Sequence, residues 1–239
     1  MVNRSLGRIF MTRNDIFWIA GVFLLSALPR TAAAQTVNQD FARGKRSVKN
    51  ILILPPKASL MKSGMKGASP LVAESQAMEL GLASVVGQAL SDRGCNILPS
   101  AFNPEALDQN PDLKYALSDL QTRYDKLEVL LKKKPKGVRT GRFSLGDEVA
   151  DFTPGATANA LVFVRAQGFV PTTGLKTFVV VTGMGFTMSH AKLDISVADI
   201  QTGTILYFVQ TNVYGNFIGR PDSMKGAIGK SLSSVRYQD

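Results

Sequence analysis

Short apolar runs alternate with stretches of helical periodicity along this chain, and that alternation restricts the possible folds more than any other feature. NILILPP (50–56) is a continuous apolar run ended by two prolines, as expected of a strand buried on both faces. A helical pattern over 69–94 follows, then the short apolar run CNILPS (95–100) and a second helical pattern over 111–131. Strands that alternate with helices predict a largely parallel sheet.

The carboxyl-terminal half contains strands that follow one another directly. ALVFVRAQGF (160–169) has the strongest strand pattern, and AKLDISVADIQTGTILYFVQTNV (191–213) holds two alternating runs joined by a turn. A short helix is predicted at 144–152 and a closing helix at 224–236. We therefore predict one α/β domain over 49–239, a single mixed sheet flanked by helices. Its order is β-α-β-α-(α)-β-β-β-α, with a carboxyl-terminal antiparallel hairpin and a closing helix.

The amino terminus has the composition of an export signal. Three arginines precede the apolar core IFWIAGVFLLSAL (16–28), which leads to an Ala-x-Ala site in TAAAQ (31–35). The apolar core is shorter than the roughly 20 residues that span a bilayer as a helix. We therefore predict that residues 1–34 are a signal peptide cleaved before Gln35, rather than a retained anchor.

The rest of the leader region bears on location. No lipobox cysteine follows the apolar core, and translation can begin at either Met1 or Met11. Residues 35–48 are polar and are predicted to be a flexible leader to the domain. The chain is therefore expected in the periplasm, with outer-membrane association left open.

Charge and cysteine content restrict the partners. The formal net charge is +10, and Cys95 is the only cysteine, so the chain can hold no internal disulfide. A basic exported protein is expected to meet envelope proteins, anionic lipid or cell-wall polymer, and not nucleic acid.

Two segments are candidate contact surfaces. One is the loop predicted at 57–70, which is rich in Gly, Ser and Lys. The other is a basic stretch without an acidic residue, which is either a solvated helix end or an anionic-surface contact. Its members are Lys132, Lys133, Lys134, Lys136, Arg139 and Arg142. The Val-rich segment Phe178 to Met188 is interpreted as a core strand or, if exposed, as a contact for lipid or a neighbouring subunit.

Patterns that would indicate catalysis are weak. Gly229-Lys230-Ser231 lacks the earlier glycine of a phosphate-binding loop, and the lone His190 has no zinc-ligand spacing around it. Cys95 opens a predicted buried strand, where cysteines commonly act as small apolar residues. We predict no enzyme activity, no cofactor and no metal; a hydrolase that uses Cys95 or His190 is the alternative.

The turn between the last two strands contains Asp199, Thr202 and Gly203. An acid beside Thr and Gly suggests either a metal or phosphate site or a hairpin corner. No second titratable partner is apparent, so we predict a structural turn, with the Asp199 carboxylate accepting loop N–H bonds and Gly203 at positive φ.

Together these elements resemble a family of bacterial envelope proteins. NILILPP, ALVFVRAQGF and the hairpin ISVADIQTGTILYFVQTNV with Asp199, Thr202, Gly203 and Tyr207 are similar to proteins related to the TolB amino-terminal domain and CsgG, including PelC- and LpoB-like lipoproteins. The resemblance covers roughly residues 48–236. It implies a non-enzymatic accessory to secretion, polymer export or cell-wall assembly, or alternatively an oligomeric subunit of an outer-membrane export complex.

Overall fold

A mixed eight-stranded sheet runs through the part of the chain that the structure, a computed structural model, describes. The described residues are 34–64, 67–100, 102–152, 158–172, 189–215, 217 and 220–235. The strands are β1 (Ala34–Val37), β2 (Asn50–Ile53), β3 (Lys57–Gly64), β4 (Gly67–Pro70), β5 (Asn96–Ile97), β6 (Ala160–Pro171), β7 (His190–Asp199) and β8 (Ile205–Tyr214). The α-helices are α1 (Gln39–Ala42), α2 (Val72–Ser91), α3 (Pro104–Gln109), α4 (Pro111–Lys133), α5 (Lys136–Arg139) and α6 (Lys225–Ser231).

The order of the strands confirms the predicted fold class. The sheet reads β1-β8-β7-β6-β2-β5, with β3 added beside β6 and β4 beside β3. β2 is parallel to both β5 and β6, β3 is parallel to β6, and the remaining pairs are antiparallel. β7 and β8 form the predicted hairpin, and α6 is the closing helix, preceded by the 3₁₀ helix Pro221–Met224.

Most predicted helices form where their periodicity indicates. Helix α2 ends as expected, with Gly94 at a φ of +84° just beyond it. Helix α4 begins after Asn110, whose Oδ1 accepts a hydrogen bond from Leu113 N at 3.0 Å. The short element expected at 144–152 is a 3₁₀ helix, Asp147–Phe152.

The prediction of a loop at 57–70 is wrong, because the strands β3 and β4 lie there. Leu54 N still donates to Val162 O of β6 at 3.0 Å, and then Pro55 and Pro56, which lack an N–H, interrupt the ladder. β3 resumes beside β6 from Lys57 onward, because β6 has twelve residues and β2 covers only the first few. The Gly, Ser and Lys residues that suggested a loop lie in β3 and β4, in which Leu60 is the one buried residue among those described.

Residues 35–48, predicted to be a flexible leader, are instead built into the fold. β1 pairs antiparallel with β8, with Val37 opposite Tyr207. Phe41 is 2% exposed and Val48 is fully buried. Asn38 caps α1 by accepting from Asp40 N at 2.9 Å, and its Nδ2 donates to Val138 O at 3.2 Å. An edge strand needs few apolar residues, so this polar segment lacks the alternation that identifies an inner strand.

Two apolar cores lie on opposite faces of the sheet. One is formed by α2 and α6 against the sheet, and it includes Leu82, Val86 and Ile228. The other lies under α4, where Leu120, Tyr124 and Leu131 meet the odd-numbered residues at the start of β6. None of the helices in the described ranges is both long and apolar enough to cross a membrane. The segment Phe178 to Met188 lies outside the described residues.

Candidate functional site

The turn between β7 and β8 is held by its own polar groups. Asp199 Oδ1 accepts hydrogen bonds from Thr202 N at 2.9 Å and Thr202 Oγ1 at 3.0 Å. The other carboxylate oxygen, Asp199 Oδ2, lies 3.6 Å from Arg46 Nη1, and the same Arg46 nitrogen donates to Thr202 Oγ1 at 2.9 Å. The carboxylate is thus occupied by contacts within the fold.

Gly203 gives this turn its backbone shape. Its φ is +62°, and a Cβ built on it would lie 2.4 Å from Gly146 O. Leu145 N donates to Gly203 O at 3.0 Å, and Ser144 Oγ donates to Thr202 O at 2.8 Å. The turn therefore docks against residues 144–146, which leaves no room for a side chain at position 203.

A charged network that the sequence patterns above did not predict lies between α4 and the sheet. Lys132 Nζ lies 2.8 Å from Asp194 Oδ2 and 2.9 Å from Glu128 Oε1. Asp194 is 2% exposed, and its other oxygen accepts from Gln210 Nε2 at 2.7 Å. Burial disfavours the charged ammonium, but the contacts with Asp194 and Glu128 outweigh it and raise the pKa of Lys132. Lys132 is therefore engaged inside the fold.

A second part of the network centres on Arg165 of β6. Its Nη2 and Nε donate to Asp125 Oδ1 at 2.7 and 3.1 Å, and it also donates to Gln121. The guanidinium lies 4.9 Å from the centre of the Tyr124 ring. Tyr124 is fully buried, and its hydroxyl lies 2.7 Å from Ser196 Oγ.

Charge on the outer carboxylate of this network is also compensated. Asp125 Oδ2 accepts from Lys57 Nζ at 2.9 Å. Burial raises the pKa of the Asp125 carboxyl, but the hydrogen bonds from Lys57 and Arg165 outweigh it and lower that pKa overall. The cationic groups and carboxylates of the network therefore neutralise one another and connect α4 to the sheet through ion pairs.

A signal for this network is present in the sequence. Arg165 interrupts the apolar run LVFVRAQ, and Asp194 interrupts LDIS, both at positions where a buried strand normally carries an apolar side chain. Gln121, Asp125 and Lys132 adjoin the apolar stripe of α4. Charged residues at buried positions of a strand indicate that another element supplies partners for them, but the sequence does not say which one.

The rest of the predicted basic stretch lies at the carboxyl-terminal end of α4 and along α5. We name five exposed residues there the basic cluster: Lys133, Lys134, Lys136, Arg139 and Arg142. Val138, between them, is fully buried and anchors α5 to the fold. Within the described ranges, none of the five lies within ion-pair distance of a carboxylate. Their charges face solvent.

The two residues considered for nucleophilic chemistry do not meet. Cys95 is buried beside β5, with its Sγ 3.7 Å from Val48 O, and burial raises the pKa of its thiol despite the nearby Arg93. His190 is exposed at the start of β7, opposite Phe169 near the end of β6, whereas β5 lies level with Ala160 at the beginning of β6. The three strand spacings from β5 to β7 amount to about 14 Å, and the offset from Ala160 to Phe169 adds about 30 Å along the strands. A Cys95–His190 pair is therefore not formed. Among the described residues, no three His, Cys, Asp or Glu side chains are grouped so that they could hold a metal ion.

No protein-family model and no curated protein matches the chain. Among solved structures, it is similar to two structures of the PelC dodecamer from Paraburkholderia phytofirmans. The first has a TM-score of 0.42 and 9% identity, over 86% of this chain and 98% of that one. The second has a TM-score of 0.39 and 13% identity, over 87% of this chain and 99% of that one. It is similar to lipoprotein GNA1162 from Neisseria meningitidis at a TM-score of 0.38 and 12% identity, over 78% of this chain and 94% of that one. It is also similar to the LpoB carboxyl-terminal domain from Salmonella enterica, with a TM-score of 0.24 and 10% identity, over 74% of this chain and 95% of that one.

Proposed function

We propose that this chain is a non-enzymatic interaction protein of the bacterial cell envelope. It is exported to the periplasm and uses the basic cluster to bind an anionic partner there, either lipid headgroups or cell-wall polymer. In the envelope such contacts would make it an accessory to secretion, polymer export or cell-wall assembly.

The observation that carries the proposal is the exposure of five neighbouring cations that, among the described residues, have no carboxylate within ion-pair distance. A lysine or arginine held close to an anionic surface contributes about 1 kcal/mol of binding free energy. Lys132 does not add to this surface, because Asp194 and Glu128 hold its ammonium group. The export signal in the sequence and the basic net charge support the same location and class of partner.

Sedimentation with isolated membranes and with cell-wall fragments tests the proposal. A variant in which the whole basic cluster is changed to Gln should lose at least about tenfold in binding to one of the two fractions. Binding of the unaltered chain should fall as salt is added, because screening weakens exposed charge contacts.

The matched control neutralises five exposed cations elsewhere on the protein: Arg43, Lys62, Lys126, Lys225 and Lys230. This variant has the same net charge as the cluster variant but keeps the basic cluster. Equal loss of binding in both variants would show that total charge, and not the basic cluster, determines binding. Unchanged sedimentation of the cluster variant would remove the proposal.

A further inference from the structure

Beyond the part of the sheet that α4 covers, three aromatic side chains form a row across three strands. Phe169 of β6 is directly opposite His190 of β7, and His190 is directly opposite Tyr214 of β8. The Phe169 and His190 ring centres are 5.6 Å apart, and those of His190 and Tyr214 are 6.5 Å apart. Phe169 is 44% exposed and Tyr214 is 60% exposed, whereas most large apolar residues of these strands are buried.

A second row of polar side chains runs beside the aromatic row. Gln167, Lys192 and Asn212 occupy the same three strands, two residues closer to the helix-covered part, and they too are paired directly across the strands. Arg165 and Asp194, which contact α4, have the same parity along their strands, so both rows lie on the α4 face of the sheet. We name these six residues the aromatic platform.

The aromatic platform carries positive and no negative charge. It contains no acidic residue, and Lys192 supplies an ammonium group in the middle of the polar row. Ser59 and Met61 of β3 are opposite Gln167 and Phe169 and extend the two rows by one strand, again without an acidic residue. The complementary ligand is therefore neutral or anionic.

We propose that the aromatic platform binds a strand of anionic glycan, a polymer of sugar units that carry carboxylates. A sugar ring has an apolar C–H face and a rim of hydroxyl groups. The exposed aromatic rings can pack against the apolar C–H faces of the sugar rings, as aromatic side chains pack against the successive units of other polymers. The amides of Gln167 and Asn212 are placed to bond hydroxyl groups, and Lys192 is placed to bond a carboxylate.

The pattern of the platform favours a repeating ligand that lies across the strands. Each of the three strands carries one aromatic and one polar side chain of the platform. Because neighbouring strands are about 4.8 Å apart, this pair of side chains recurs at that interval. Taking the exposed rings into the hydrocarbon part of a bilayer would also remove water from the adjacent polar row, which is costly. A peptide that adds a strand to a sheet bonds the edge of the sheet, whereas these side chains stand on its face. The inference does not rest on the basic cluster, which lies at the end of α4 and along α5.

Binding of the full chain to alginate, a polymer of uronic acids, tests this inference. Three other probes accompany it: neutral dextran, poly-L-glutamate as a carboxylate polymer without sugar rings, and phosphatidylglycerol vesicles. We expect Phe169→Ala and Tyr214→Ala each to raise the Kd for alginate about tenfold while leaving the Kd for poly-L-glutamate unchanged. Lys192→Gln should weaken binding of alginate but not of dextran.

Two further variants keep the test independent of folding. Tyr214→Phe preserves the ring and should bind alginate as the unaltered chain does. Tyr115→Ala is the matched control, because Tyr115 of α4 is 77% exposed and lies outside the platform.

Specific outcomes would overturn the inference. These are no binding of alginate by the unaltered chain, unchanged alginate binding by the folded ring variants, or equal losses for alginate and poly-L-glutamate. A loss confined to the vesicles would assign the platform to a lipid surface instead. If a ring variant fails to fold, Tyr214→Phe and Lys192→Gln decide the question through the alginate and dextran affinities.

Discussion

Lys132 Nζ of helix α4 lies 2.8 Å from the carboxylate of Asp194, which stands on the neighbouring sheet and is 2% exposed. Lys132→Met removes the cation and leaves Asp194 charged and buried, a change that usually costs about 3–5 kcal/mol. We expect a loss near the lower figure, because the Lys132 side chain is 27% exposed and water screens part of the interaction. Urea unfolding measures it. Lys133→Met is the control and should change the free energy of unfolding by less than about 0.5 kcal/mol. Similar losses in the two variants would contradict the role of Lys132.

Asp125 should make stability depend on acid pH. Its folded-state pKa lies below the ordinary value of 3.8, since the bonds from Lys57 and Arg165 outweigh the effect of burial. A lowered pKa contributes stability that is present above the unfolded value and is lost as the pH falls through the folded one. Asp125→Asn should therefore destabilise the protein at neutral pH, and the difference from the unaltered chain should shrink below pH 3.8. Urea unfolding at a series of pH values measures it; a difference that stays constant into acid would contradict this assignment.

Gly203 and Gly226 should respond in opposite directions to alanine. At Gly203 the φ of +62° and the 2.4 Å approach of a Cβ to Gly146 O predict a loss of about 2 kcal/mol or more. At Gly226, in α6, a Cβ would meet no atom within 4 Å, and alanine should stabilise the helix by up to about 1 kcal/mol. Thermal unfolding compares the two. Gly203→Val should be at least as harmful as Gly203→Ala.

Asp199→Asn should have a small effect on both stability and binding. An asparagine side-chain oxygen can still accept from Thr202 N, and the Arg46 contact that it weakens is 3.6 Å long and partly exposed. Thermal unfolding and the sedimentation assay measure the two effects. A folded Asp199→Asn protein that no longer binds its envelope fraction would give this carboxylate a functional role.

Phe41→Ala tests whether residues before the domain predicted at 49–239 belong to the core. Phe41 is 2% exposed, so its truncation should cost about 3–5 kcal/mol of unfolding free energy. The exposed Lys45→Ala is the control and should be close to neutral. Denaturant unfolding measures both, and a neutral Phe41→Ala would mean that α1 is detached in solution.

Local patterns predicted the elements that carry their own signal. Alternating apolar residues identified β7 and β8, and helical spacing identified α2 and α4. β1 and β3 were not predicted because an edge strand, and a strand with a single buried residue, can be polar. Their pairing with β8 and β6 explains why they are strands.

The charged network between α4 and the sheet was not predicted for a related reason. Lys132 and Asp194 are far apart in the sequence, and the spacing of neither residue indicates the other. The basic stretch was visible as a run, but only the three-dimensional contacts separate Lys132 from the exposed Lys133. Sequence patterns therefore give the polarity of a segment more reliably than the partner of each charge.

Pro55 and Pro56 divide the hydrogen bonding along one edge of β6 into two segments, and we expect these two segments to open differently. β2 and Leu54 pair with the buried beginning of β6, whereas β3, in which Leu60 is the one buried residue, pairs with the rest. The two segments can open separately, because no ladder bond is donated across the prolines. Amide hydrogens near Val162 should therefore exchange with solvent only on global unfolding, while those near Gly168 should exchange through a local opening that leaves the rest of the sheet intact.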